Sequence, residues 1–106
     1  MNESEIRKVV KETIRELKRD GLLKDVKTVA YQTTAERLSR HYAGAEDEEL
    51  EIALDELRAD YYFRVLPLYY GKRMTIEQIA EQMNVEVSTI VRNKRRLCLM
   101  LYGLLE

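Results

Sequence analysis

Six residues within one short stretch carry groups able to read a nucleic acid: Ser88, Thr89, Arg92, Asn93, Arg95 and Arg96. Hydroxyls and an amide can donate to and accept from base edges, and a guanidinium can bind the edge of guanine with two parallel hydrogen bonds or hold a phosphate. Steps of about 100° per residue put Ser88, Thr89, Arg92, Arg95 and Arg96 on one side of a helix around 87–102. Short hydroxyls near its start and long cations behind them suit a helix entering a major groove. Lys72, Arg73 and Thr75 precede a shorter helix and are placed for phosphate contacts flanking that groove. No Gly-rich phosphate loop, Ser/His/Asp or Cys/His constellation, or apolar pair of carboxylates accompanies them, so the expectation is a non-enzymatic protein without cofactor or metal.

The elements that must position these groups are legible from 74 to 97. Thr75 and Gln78 have the spacing of a capping box, which starts a helix. Ile76, Ile79, Ala80 and Met83 fall on one face of it, with small Ala80 where a second helix must cross closely. Asn84 tolerates the left-handed backbone that such a turn needs, and Val85 plugs the corner. Val87, Ile90, Lys94, Leu97 and Leu101 then form the inner stripe of the second helix. Two residues fit poorly: Glu86, where Ser or Asp would cap better, and Lys94, a charge in the inner stripe.

With these residues in place, Asp60 to Leu105 resembles region 4 of sigma-70-type factors, and more closely the phage late-transcription regulators of the ArpU/RinA type. The similarity lies in Leu66-Pro67-Leu68-Tyr69-Tyr70, in Thr75-Ile76-Glu77-Gln78-Ile79-Ala80, and in Ser88-Thr89-Ile90 followed by Arg92-Asn93-Lys94 and Arg96-Leu97. It covers a little under half of the chain. The resemblance implies a C-terminal helix-turn-helix, double-stranded DNA as partner, and RNA polymerase as a further candidate partner.

The chain has 106 residues, the length of a single helical domain, with an N-terminal helical part over 1–45 and a helix plus helix-turn-helix over 46–106. A net charge of −1 excludes a generally sticky polycation, so distribution carries the case. Residues 1–27 hold eight Lys or Arg against six acids, 28–60 three against nine, and 61–106 seven against four. Between Val87 and Leu105 there are four cations and no acid. The single Cys98 excludes an intramolecular disulfide and fits a reducing cytoplasm and a core position. No signal segment or membrane-length apolar run is present in the sequence, and scarce Pro and Gly make the fold class all-α.

Helices are expected over 3–20, with Ile6, Val9 or Val10, Thr13 or Ile14 and Leu17 inward and a solvated basic side, and over roughly 25–43, ending at Gly44. A third opens on Glu46-Asp47-Glu48-Glu49, whose charges complement the helix dipole, and runs by Leu50, Leu54, Leu57, Tyr61 and Val65 to a kink or break near 63–66 imposed by Pro67. His41 reads as a hydrogen-bonded or exposed helix histidine, and Tyr61, Tyr62, Phe63, Tyr69 and Tyr70 as core with hydroxyls at the rim. Two function classes compete: a DNA-binding transcriptional regulator, and an assembly protein, either a ring-forming small terminase subunit or an adaptor for polymerase or a sigma factor. The last turns around Leu99, Met100 and Leu104 are apolar on all sides, which calls for a cover. The expectation is a two-fold homodimer, with helix 3–20 folding back as the alternative.

Overall fold

The computed structural model describes residues 26–106, and all regular structure among them is helical: α1 (Val26–Tyr42), α2 (Glu48–Leu57), a π-helical segment (Pro67–Gly71), α3 (Ile76–Met83) and α4 (Val87–Leu105), with no strand among the described residues. The all-α class expected from composition is therefore the class found. The helix expected over 3–20 lies outside the described residues.

α1 buries Ala30, Thr34 and Leu38, one row at i, i+4 spacing, while Val26 at its start is exposed. It ends as expected at a glycine: Gly44 has φ +115, a conformation that side chains rarely adopt, and the Ala45 amide closes the turn on the Arg40 carbonyl. Arg37 then fixes the next helix. Its Nε and Nη2 donate to the two oxygens of Asp47 at 2.5 and 2.7 Å, while Asp47 Oδ1 accepts from the Leu50 amide at 3.2 Å. Asp47 is thus the N-cap of α2, not part of its first turn; Glu46 lies before the helix, and Glu48, Glu49 and Glu51 supply the negative charge at the dipole's positive end.

The stripe expected to run from Leu50 to Val65 stops early. α2 ends at Leu57, and from there to Leu66 the chain proceeds by i→i+3 turns, with Asp60, Phe63, Val65 and Leu66 amides donating to Leu57, Asp60, Tyr62 and Phe63 carbonyls. Tyr61, assigned to the inner stripe, is 62% exposed. The cause is Asp60, whose carboxylate accepts from the Tyr62 amide and from Arg96 far along the chain, so a local turn outcompetes helical continuation. Pro67 does not kink a running helix. It stands at the first position of the π-helical segment, where a missing amide costs nothing, and the Phe63 carbonyl it would have crowded is taken by Leu66. Gly71 closes the segment against Tyr42: a Cβ there would meet the ring at 3.3 Å.

α3 begins at the expected capping box. Thr75 Oγ1 accepts from the Gln78 amide at 3.1 Å, and Gln78 Oε1 accepts from the Thr75 amide at 2.9 Å. Asn84 ends it in the left-handed region, φ 56, and the Val85 amide reaches back to the Ala80 carbonyl. Glu86 is the N-cap of α4 and makes no side-chain cap bond.

α4 contacts α1, α2 and α3, and the π-helical segment contacts α1 and α3. Two hydrophobic clusters result. One joins Leu38 of α1 and Leu50, Leu54 and Leu57 of α2 to Leu97, Cys98 and Leu101 of α4; the other joins Val65, Leu68, Ile79, Ala80 and Met83 to Ile90. Tyr62 packs against both. Val87, placed on the inner stripe, is 43% exposed, because the helix opens before the elements it crosses, and Leu104 in the last turns is 47% exposed. Thr75→Ala removes the hydroxyl half of the capping box and is expected to cost about 1 kcal/mol, read as a lower chemical-denaturation midpoint with an unchanged slope.

Candidate nucleic-acid interface

Over residues 87–95 the exposed face of α4 consists of Val87, Ser88, Val91, Arg92 and Arg95, with Val91 48% exposed. They form two adjoining rows at i, i+4 spacing, 87–91–95 and 88–92. Ser88, Arg92 and Arg95 were legible as candidates. Val87 and Val91 were not, although their spacing relative to Arg95 carried the signal. Thr89 is half-buried, and its carbonyl accepts from Asn93 Nδ2 at 2.8 Å.

Asn93 and Arg96 do not belong to this open face. Asn93 Oδ1 accepts from Arg96 Nε at 3.0 Å, and Arg96 Nη1 and Nη2 donate to the two oxygens of Asp60 at 2.9 and 3.0 Å. With a further contact from Nη1 to Met100 Sδ at 3.4 Å, this guanidinium is a clamp between α4 and the 58–66 turns, not a group held out for a ligand. Hydrogen bonding from Arg96, then the Tyr62 amide, holds the Asp60 carboxyl below its ordinary pKa against the opposing effect of burial, and Asp60 in turn raises that of Arg96.

Lys72 and Arg73 are exposed between the π-helical segment and α3. The Lys72 amide closes the segment on the Pro67 carbonyl at 3.0 Å, and Arg73 has φ 56, uncommon for a residue with a side chain. Thr75 also stands at this corner, its hydroxyl oxygen engaged in the cap. Residues 73–76 lie on the α1 side of the fold: Arg73, Met74, Thr75 and Ile76 share an open groove of about 910 Å³ with Tyr31, Glu36, Ser39 and Arg40 of α1, Tyr69 and Tyr70, and Lys94 of α4.

Lys94, which looked misplaced on the inner stripe, is only 9% exposed and sits among tyrosine rings. Its Nζ lies 4.0 Å from the ring centre of Tyr69, 5.4 Å from Tyr31 and 6.0 Å from Tyr70. The negative faces of these rings replace part of the water the ammonium gives up. Arg95 leans over the outer side of Tyr31, 5.5 Å from its centre. The aromatic residues expected in the core are half-buried apart from Tyr61, and Tyr70 carries its hydroxyl inward to Cys98 Sγ at 3.7 Å. Burial raises the pKa of both groups, so the Cys98 thiol is a core group as expected. His41 departs from expectation: its Nδ1 is enclosed without a hydrogen-bond partner among the described residues, with the ring edge-on to Tyr42.

Among the described residues no cluster of His, Cys, Asp or Glu could hold a metal ion, and no helix is long and apolar enough to cross a membrane. The chain matches no protein-family model, no curated protein and no solved structure.

The Asp60–Arg96 clamp has a pH signature. A carboxyl whose folded-state pKa lies below its unfolded value of about 3.9 adds stability that is complete above that value and disappears as pH falls through the folded one. Asp60→Asn is therefore expected to lower stability at neutral pH by on the order of 1 kcal/mol, the exposed flank of Arg96 limiting the figure, and to flatten the fall in Tm between pH 5 and acid by about one carboxyl's contribution. The residual slope belongs partly to Asp47, which Arg37 holds at about 2.

Proposed function

We propose that the chain is a DNA-binding transcriptional regulator of phage or prophage type, working in the cytoplasm and reading duplex DNA with the exposed face of α4. The observation that carries the reading is the composition of that face: Ser88, Arg92 and Arg95 beside two exposed valines, on a helix without a single acid. Arg92 and Arg95 have no carboxylate partner among the described residues. Guanidinium groups suit guanine edges or phosphates, and valine methyls suit the methyl group of thymine. The likeness of 60–105 to the ArpU/RinA type and to sigma-70 region 4 supports the same reading and adds RNA polymerase as a partner. Lys72 and Arg73 are the flanking phosphate contacts; Asn93 and Arg96 act through the shape of α4.

Selection of bound sequences from a random duplex pool tests the reading, and recovery of no preferred sequence together with salt-independent binding rejects it. In duplex titrations Arg92→Ala and Arg95→Ala are expected each to cost about 1–3 kcal/mol with relaxed preference at one base pair if they read a guanine, or to lower the salt slope by about one if they hold a phosphate. Arg96→Ala is expected to lower Tm in the absence of DNA.

A second reading, assembly through protein contacts, is favoured by one observation: across 92–100 the same helix carries a shallow, mostly apolar surface of about 470 Å³ lined by Leu99 and Met100 with Arg92, Arg95 and Arg96. A two-fold homodimer through Leu99 and Met100 is compatible with a regulator on a palindromic site; a ring would point to a terminase-like packaging role. Sedimentation of the full chain decides between them, and Leu99→Glu combined with Met100→Lys is expected to convert a dimer into a folded monomer. Wild-type protein that is monomeric at high micromolar concentration, with and without DNA, rejects both assemblies.

A further inference from the structure

The groove between α1, the π-helical segment and the start of α3 has a base and a rim of unlike chemistry. Lys94 forms part of the base, nine-tenths buried, its ammonium resting on tyrosine rings and meeting no carboxylate within ion-pair distance among the described residues. Arg40 and Arg73 line the same groove, also without a carboxylate partner among the described residues. Among the described residues Glu36 is the only acid lining it, so there three cations face one carboxylate, a formal excess of two positive charges. A buried ammonium is retained at a desolvation cost that ring faces offset only in part. Arg73 reaches the rim from a left-handed backbone, which costs conformational energy in a residue with a Cβ and is a feature that clusters at ligand sites.

We propose that this groove is a phosphate-binding site, in which Lys94 takes one phosphate group from below and Arg40 and Arg73 close on it from the rim. A phosphate monoester dianion matches the excess charge, and its three terminal oxygens accept from an ammonium and two guanidinium groups at once; a backbone phosphodiester brings one charge and two free oxygens, so two successive phosphates of a strand supply the same charge. The volume admits a mononucleotide as readily as a lone phosphate. The phosphate comes from one of two sources: a free phosphate ester, or the backbone of a bound duplex. Only the second rests on the DNA-binding reading.

The test uses the full chain and three probes: inorganic phosphate, AMP, and a duplex selected for binding. The readouts are Tm against chloride at matched ionic strength and the NMR signal of the Lys94 ε-methylene. For a free ester, phosphate or AMP raises Tm with concentration and moves the Lys94 signal, and Lys94→Met and Arg73→Gln each weaken the apparent affinity by about tenfold or more, as for loss of a charge-assisted contact. For a duplex source, the two small probes do nothing, the duplex moves the Lys94 signal, and Lys94→Met lowers the salt slope of duplex binding by about one. Arg64→Gln, on the 58–66 turns, controls for loss of a surface charge in general. Should Lys94→Met fail to fold, Arg73→Gln and Arg40→Gln carry the same comparison from exposed positions. A Lys94 signal that none of the probes moves, or responses undiminished in the groove variants, overturns the site; a phosphate or AMP response in a chain that binds no duplex upholds it while the DNA reading falls.

Discussion

The inner row of α4 is the surface on which the other described helices depend. Ile90 belongs to the cluster formed with α3 and the 65–68 region, whereas Leu97, Cys98 and Leu101 belong to the cluster formed with α1 and α2. Between them, one turn from each, stands Lys94. Had this position been leucine, the two clusters would have merged into one continuous core. Instead an ammonium separates them, and Tyr31 from α1 and Tyr69 and Tyr70 from the π-helical segment gather around it. The charge accounts for why tyrosines rather than aliphatic residues fill this region: an ammonium removed from water needs an electron-rich face, and a phenol also keeps a polar end that can reach a partner or the surface.

A second constraint acts across sequence. Asp60 and Arg96 are joined by two hydrogen bonds, and the same carboxylate organises the turn that ends the run after α2. One residue therefore sets both where a helix stops and how α4 is anchored. Arg37 with Asp47 repeats the device at the other end of α2, joining an N-cap to a neighbouring helix. In both cases the carboxylate satisfies backbone amides while its charge is met by an arginine, so a polar connection contributes geometry without leaving an unmatched group. The short elements of the fold, which bury little area each, are held in register by these two pairs.

Features that depend on a few consecutive residues were legible in the sequence. Thr75 with Gln78, Asn84 and Gly44 each specify a local backbone conformation through their own chemistry, and each stands where that chemistry placed it. Features set by distant partners were not. Nothing near Leu57 announces that α2 ends there, because the competitor for helical continuation is a carboxylate committed to Arg96, 36 residues away. Helical periodicity put Val87 inside because it follows the angular position of Ile90 and Lys94; it cannot know that α3 and the π-helical segment end before covering that turn. Lys94 looked like an error of patterning for the same reason: the tyrosines that accommodate it come from two other elements.

The same distinction governs which arginines are available to a ligand. Arg92, Arg95 and Arg96 are equivalent by composition and nearly so by angle, and a field calculated from sequence charge alone would count them equally. The fold does not. Arg96 is neutralised by Asp60, and its position is fixed further by Asn93, so its contribution to an external field is that of a dipole. Arg92 and Arg95 meet no carboxylate among the described residues and keep their charge on the open face, Arg95 at its edge with its guanidinium over Tyr31. The positive character of α4 is thus divided between its exposed face and its border with α1. A long polyanion lying along α4 would meet both regions, whereas a small anion is held in the groove that Lys94, Arg40 and Arg73 line together.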